Sequence, residues 1–202
     1  MRQLVALAAV LVAGCSRTPE KESQVQVAPP LQQVSDPSKD TLLITANRLG
    51  RVPSCATLAS IKQSYPGSRD TLTPTEDPET HQAGVVVDLG SGERTLYVAS
   101  WTDSSHAWTL GTNSPRFHTR RGLHVGSTYS DVLRTGDSLE FSLPEGFVVA
   151  TIVPEGISFM VDDRSATRFY NRFSEANLTG GRELMDSGAR IVEFITGHSC
   201  RK

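Results

Sequence analysis

No apolar run in this 202-residue chain reaches the eighteen or so residues that a membrane-crossing helix needs, so a polytopic membrane protein is excluded. A basic excess is missing as well. Twenty Lys and Arg stand against 22 Asp and Glu, a net charge of −2, which argues against a nucleic-acid binder. Gly and Pro, at 16 and 11, are too few for collagen or wholesale disorder. Aromatics make up 6% of the chain, and none precedes Tyr65. The histidines (His81, His106, His118, His124 and His198) fall in no metal-ligating spacing, and neither a nucleophile elbow nor a phosphate loop occurs. A resident metal or cofactor is therefore not expected.

What is present begins at the first residue. Arg2 precedes an apolar run from Leu4 to Ala13, followed by Gly14 and Cys15. The run is too short to span a bilayer and has the layout of an export signal. Its tail, Val12-Ala13-Gly14-Cys15, resembles the lipobox of bacterial lipoprotein precursors. That resemblance implies cleavage before Cys15, acylation of its sulfur and new amine, and, with Ser16 following, delivery to the outer membrane. Several acyl chains at about 0.8 kcal/mol per buried CH₂ anchor a protein without spanning the membrane.

Residues 1–14 thus read as signal peptide and 15–40 as the acylated cysteine and a linker. Ser16 to Asp40 carries Pro19, Pro29, Pro30 and Pro37 and no aromatic residue, a composition that cannot offset its ordering entropy. As a flexible coil it averages roughly 25–30 Å end to end.

Residues 41–202 read as the globular domain. Leu42–Thr45 has strand character, Ala56–Ser64 helix character, and 70–79 reads as a polar, proline-broken loop. Val85–Leu89 and Thr95–Trp101 flank Gly90-Ser91-Gly92-Glu93 as a hairpin, with a strand near Ala107–Leu110. A second helix at Ser127–Thr135 leads to strands at Leu139–Leu143, Phe147–Val153 and Ile157–Val161, separated by two Pro-Glu-Gly turns. Helix Arg164–Ala176 and closing strand Ala189–Thr196 follow. The segment from Val52 to Ile61 lines up with Leu123 to Val132, so the expected fold is α+β: two helix-then-antiparallel-meander repeats, 41–112 and 113–202, forming one compact domain. Such a pair is similar to the β-lactamase-inhibitor-protein fold, and one unit is similar to the small lipoprotein of the outer-membrane β-barrel assembly machine. That likeness implies an α+β sandwich with a binding role.

Beyond Cys15, the remaining thiols Cys55 and Cys200 form an even pair in an exported domain, so a disulfide is expected. Closing so long a loop stabilises by about 5 kcal/mol on chain-entropy grounds. Arg116, His118, Arg120, Arg121 and His124 form a local basic cluster suited to a phosphate or carboxylate, with an ordinary solvated loop as the competing reading. Asp162-Asp163 suits a helix N-terminus, where negative charge complements the dipole. Arg164, Arg168 and Arg172 make a basic stripe, and Trp101 and Trp108 are the aromatics to look for on a binding surface. The expectation is a non-enzymatic lipoprotein, anchored in the outer membrane with its domain in the periplasm, binding a protein or envelope component in assembly or enzyme inhibition. The alternative is an envelope hydrolase acting on peptidoglycan or glycan.

Replacing Cys15 with Ala should release the chain from membranes on fractionation. A variant that still floats with outer membranes as wild type does would refute the lipid anchor.

Overall fold

The computed structural model describes residues 40–74, 81–100, 104–144, 147–172 and 181–197. The signal segment, Cys15, nearly all of the linker, Trp101, His198 and Cys200 lie outside them. Among the described residues no helix is long and apolar enough to cross a membrane.

Three two-residue strands open the domain: β1 (Ile44–Thr45), β2 (Arg48–Leu49) and β3 (Val52–Pro53), a small sheet in that order. After helix α1 (Leu58–Ser64) come β4 (Arg69–Pro74), β5 (His81–Gly90), β6 (Glu93–Ala99) and β7 (Ala107–Thr112). Helix α2 (Tyr129–Arg134) precedes β8 (Leu139–Ser142), β9 (Val149–Ile152) and β10 (Ile157–Val161). Helices α3 (Asp163–Arg172) and α4 (Gly181–Leu184) lead to β11 (Ile191–Gly197). Strands β4 to β11 form one antiparallel sheet in the order β4-β5-β6-β7-β11-β10-β9-β8.

This corrects the expected α+β pair of helix-and-meander repeats. The domain is mostly β, an eight-stranded antiparallel sheet plus a three-stranded one. The physical reason lies in β11, which hydrogen-bonds to β7 on one side and to β10 on the other, so neither run of strands closes on itself. The three stretches with helical periodicity yield helices of only seven, six and ten residues, and α4 adds four more. A second correction concerns 70–74, the part of the expected loop 70–79 that lies within the described residues. Arg69–Pro74 is the sheet's edge strand, paired with β5 from Arg69↔Val86 to Pro74↔His81. Its charged Arg69 and Asp70 and its terminal proline suit an edge that has to stay unpaired on one side.

Local chemistry fixes the joints. The β5–β6 hairpin turns through Ser91 and Gly92 at φ 54° and 80°, the positive angles a two-residue primed turn requires. Thr57 caps α1 by accepting from the Ser60 N–H. Thr128 and Asp131 cap α2 reciprocally, and the Thr128 hydroxyl and amide hold the Asp131 carboxyl below its usual range. The Asp162 carboxylate accepts from the N–H groups of Ser165 and Arg190. Burial works to raise its pKa, but those donors outweigh burial and hold it low. Asp162 therefore takes the helix-starting role its position suggested.

One row crosses the buried face of the sheet: Val87, Thr95, Thr112, Phe194, Phe159, Ala150 and Phe141, paired strand to strand. All seven are buried. Phe159 and Phe194 lie tilted against each other at 6.2 Å between ring centres, and Phe141 stacks on Phe169 of α3 at 5.3 Å. Phe194→Ala should cost about 3–5 kcal/mol by leaving a cavity at the centre of this row. Val192→Ala, on the same strand at an exposed position, should stay within about 0.5 kcal/mol. Urea unfolding midpoints give both values, and equal shifts would contradict the assigned register.

Candidate functional site

The basic cluster expected around residues 116–124 is dispersed by the fold. Arg116 donates its Nε–H to Glu93 Oε2 at 2.9 Å and an Nη2–H to the Leu89 carbonyl. The Ser114 hydroxyl and Arg116 together hold the Glu93 carboxyl below its ordinary range. His118 places Nε2 at 3.3 Å from Asp40 Oδ2 and Nδ1 at 3.2 Å from the Thr119 carbonyl. His124 spends Nδ1 on the Val125 carbonyl at 2.8 Å. Arg121 reaches Asp137 Oδ1 at 3.5 Å. Arg120 alone of the five makes no hydrogen bond or ion pair among the described residues, and it borders a cleft.

That cleft has a volume of about 210 Å³ and is formed largely by turns. Ile44, Thr45, Ala46 and Asn47 come from β1 and the turn after it, Pro154 and Glu155 from the β9–β10 turn, and Ile157 from the start of β10. Ile44 and Ile157 are fully buried and lie beneath it. The two turns touch at Gly156, where a Cβ would lie 3.0 Å from Ala46 Cβ. From β11, the Thr196 hydroxyl hydrogen-bonds to the carbonyls of Thr45 and Ala46, which fixes the β1–β2 turn against the large sheet. Thr45 Oγ1 donates to Asn47 Oδ1 at 3.1 Å, an arrangement that leaves both Asn47 amide hydrogens free to donate.

Glu155 is the chemically distinctive residue. Its Oε2 is buried and has no hydrogen-bond partner among the described residues. Burial pushes its pKa up, the Asp137 charge pushes it further, and Arg121 and Arg120 offset only part of the rise. Asp137 Oδ2 is likewise buried and unpartnered, with the side chain 9% exposed, but Asp137 does not line the cleft. No group of three or more His, Cys, Asp or Glu converges among the described residues.

Of the residues that line the cleft or act on Glu155, sequence reasoning singled out Arg120 and Arg121 and passed over Thr45, Asn47, Asp137 and Glu155 itself. Glu155 sits in Pro154-Glu155-Gly156, which reads as a turn, and a turn glutamate is normally solvated. The other expected features fall as follows. Arg168 pairs with Asp186 at 2.8 Å and Arg164 is exposed. Trp108 is half-buried in β7, with its indole N–H buried and unpartnered among the described residues. Cys55 is disulfide-bonded, and its partner lies outside the described residues.

Fold and site together define an antiparallel β domain with a small, polar-edged cleft between turns. No family model matches the chain, and no curated protein matches it. Among solved structures it is similar to the uncharacterized protein yfeY from Escherichia coli, with a TM-score of 0.50 and 8% identity over 78% of this chain and 97% of that one. At that identity the likeness concerns the fold alone.

Because the folded state raises the Glu155 pKa, the folded chain binds more protons than the unfolded one between the two values. Stability therefore falls as pH rises through that window, and the cost is complete above it. Glu155→Gln removes the cost. Its urea midpoint should exceed that of wild type at pH 8 and match it at pH 4. A difference that is largest at pH 4 would show that the carboxylate is not disfavoured by the fold.

Proposed function

We propose that this chain is an outer-membrane lipoprotein, held by acyl chains on Cys15, whose β domain in the periplasm binds a protein or envelope component without turning it over. The lipobox-like tail before Cys15 supports the anchor. We further propose that Cys55 pairs with Cys200. Strand β11 ends at Gly197 opposite Thr109, and the Ala107 carbonyl, two residues from Thr109, accepts the Cys55 N–H. Three residues of chain, at most about 10 Å, separate Gly197 from Cys200.

One observation carries the binding reading: Arg120, which makes no hydrogen bond or ion pair among the described residues, borders a cleft together with Glu155, whose Oε2 is buried without a partner among them. A buried acceptor left unmade costs on the order of 1–3 kcal/mol, and such departures from full satisfaction concentrate where a protein meets a ligand. A cleft bordered by both apolar and polar groups is the usual make-up of a recognition site.

The runner-up, a hydrolase of peptidoglycan or glycan, draws on the Glu155–Asp137 pair, since one carboxylate raising the other is an acid–base pattern. Glycoside hydrolysis needs two carboxyl groups flanking the substrate. Here Asp137 stands outside the cleft wall and is engaged by Arg121, so binding is the better-supported reading.

Photo-crosslinking from the cleft rim in intact cells of the native host separates the two. Binding predicts an adduct with an envelope component that Arg120→Ala removes, and no release of products from purified peptidoglycan. An adduct unchanged by Arg120→Ala would place recognition elsewhere, and product release abolished by Glu155→Gln would establish the hydrolase.

A further inference from the structure

The face of the large sheet opposite the core row should alternate to polar residues if it meets only water. Over β9, β10 and β11 it does not. Val149 pairs with Met160 and Met160 with Glu193, and all three are partly exposed, whereas the adjacent Ala150, Phe159 and Phe194 are buried. Val161 pairs with Ile191 and Met160 with Glu193, so Val192 is the extra residue of a β-bulge. Ile191 and Phe194 are buried, and Val192 and Glu193 between them both turn outward. Val192 is 39% exposed, and Phe147, two residues before Val149, is 55% exposed. Large apolar side chains gathered on one exposed face mark interaction sites, unlike single scattered ones. Glu193 is the ionisable group within this patch. Its carboxylate makes no hydrogen bond or ion pair among the described residues; burial raises its pKa, and the Arg94 charge offsets only part of the rise. Gly111 on β7 leaves it room, since a Cβ there would stand 2.9 Å from Glu193 Oε1.

We propose that this face is a docking surface for a protein segment that carries apolar side chains around one basic residue, whose cation seats on Glu193. The argument is charge complementarity: an apolar patch with one carboxylate that lacks a partner is matched by an apolar segment with one cation, and charge-assisted hydrogen bonds are the strong ones. A lipid bilayer would cover the apolar side chains but would carry the carboxylate toward hydrocarbon with no cation to meet it. A second copy placed on a two-fold axis through the patch would bring Glu193 toward its own equivalent, a repulsive pairing. The surface stands apart from the cleft, whose buried residue Ile157 belongs to the opposite, core side of β10. It adds a second contact to the binding reading above and does not draw on Arg120 or Glu155.

A photo-reactive phenylalanine analogue at Phe147, in the full chain in intact cells of the native host, tests it. The expected adduct joins the chain to another protein, and the crosslinked peptide of that protein carries a Lys or Arg among apolar residues. Glu193→Gln should lower the adduct yield about tenfold, the effect of losing one charged hydrogen-bonding partner, and Glu193→Lys should lower it further. Replacing the partner's basic residue with Glu should restore the adduct to Glu193→Lys. Val192→Asp, at an exposed position, should weaken the adduct as well, which separates docking from an effect of Glu193 on folding. An adduct between two copies of the chain, an adduct with lipid, no adduct, or one indifferent to Glu193 overturns the proposal. Arg120→Ala should leave this adduct at the wild-type level, so the cleft and this surface fail separately; an adduct that disappears with Arg120→Ala overturns the separate surface.

Discussion

Strand β11 is the element on which the other layers depend. It belongs to the last described stretch of chain, yet its backbone lies between β7 and β10 and completes the hydrogen bonding of both. Without it, two open edges would face each other across an unfilled gap. Phe194 supplies the centre of the core row, and Thr196 reaches the carbonyls of Thr45 and Ala46 across 151 and 150 residues of chain. The strand that closes the sheet therefore also shapes one wall of the cleft. Pairings of such long sequence separation are costly in loop entropy, so the cleft should be among the last features to form during folding.

Much of the sheet is legible in the sequence because its strands carry their own signals. Val85–Leu89 and Ile157–Val161 are β-branched or apolar runs bounded by turn residues, and both lie within strands. The Gly90-Ser91-Gly92 turn announces its hairpin. Strand β4 is hidden because an edge strand buries little: Leu72 is 68% exposed, and the other residues are two charged groups, two threonines and a proline. The three short strands β1 to β3 are set by contact with the large sheet and with His118, whose backbone bonds to that of Leu42 and Ile44, more than by local preference. The expectation of two repeats failed on a point of topology. Local periodicity records that strands exist and says nothing about which strand completes which edge.

The site is less legible than the sheet, for an electrostatic reason. In one dimension Arg116, His118, Arg120, Arg121 and His124 form a block of positive charge. In three dimensions partners come from distant elements, Glu93 for Arg116, Asp137 for Arg121 and Asp40 for His118, and the block dissolves. What remains is a single arginine set off by a glutamate that looked unremarkable in its turn. The burial of Glu155 comes from residues far from it in sequence, so no local pattern could mark it.

The entry of the chain into the domain has a mechanical consequence. Asp40 grips His118, the Leu42 carbonyl accepts the His118 N–H, and Ile44 N–H donates to the His118 carbonyl. A pull on the chain at Asp40 is therefore borne first by the segment around His118, two residues from Arg120. The segment around His118 thus takes up load at the edge of the cleft before the large sheet does.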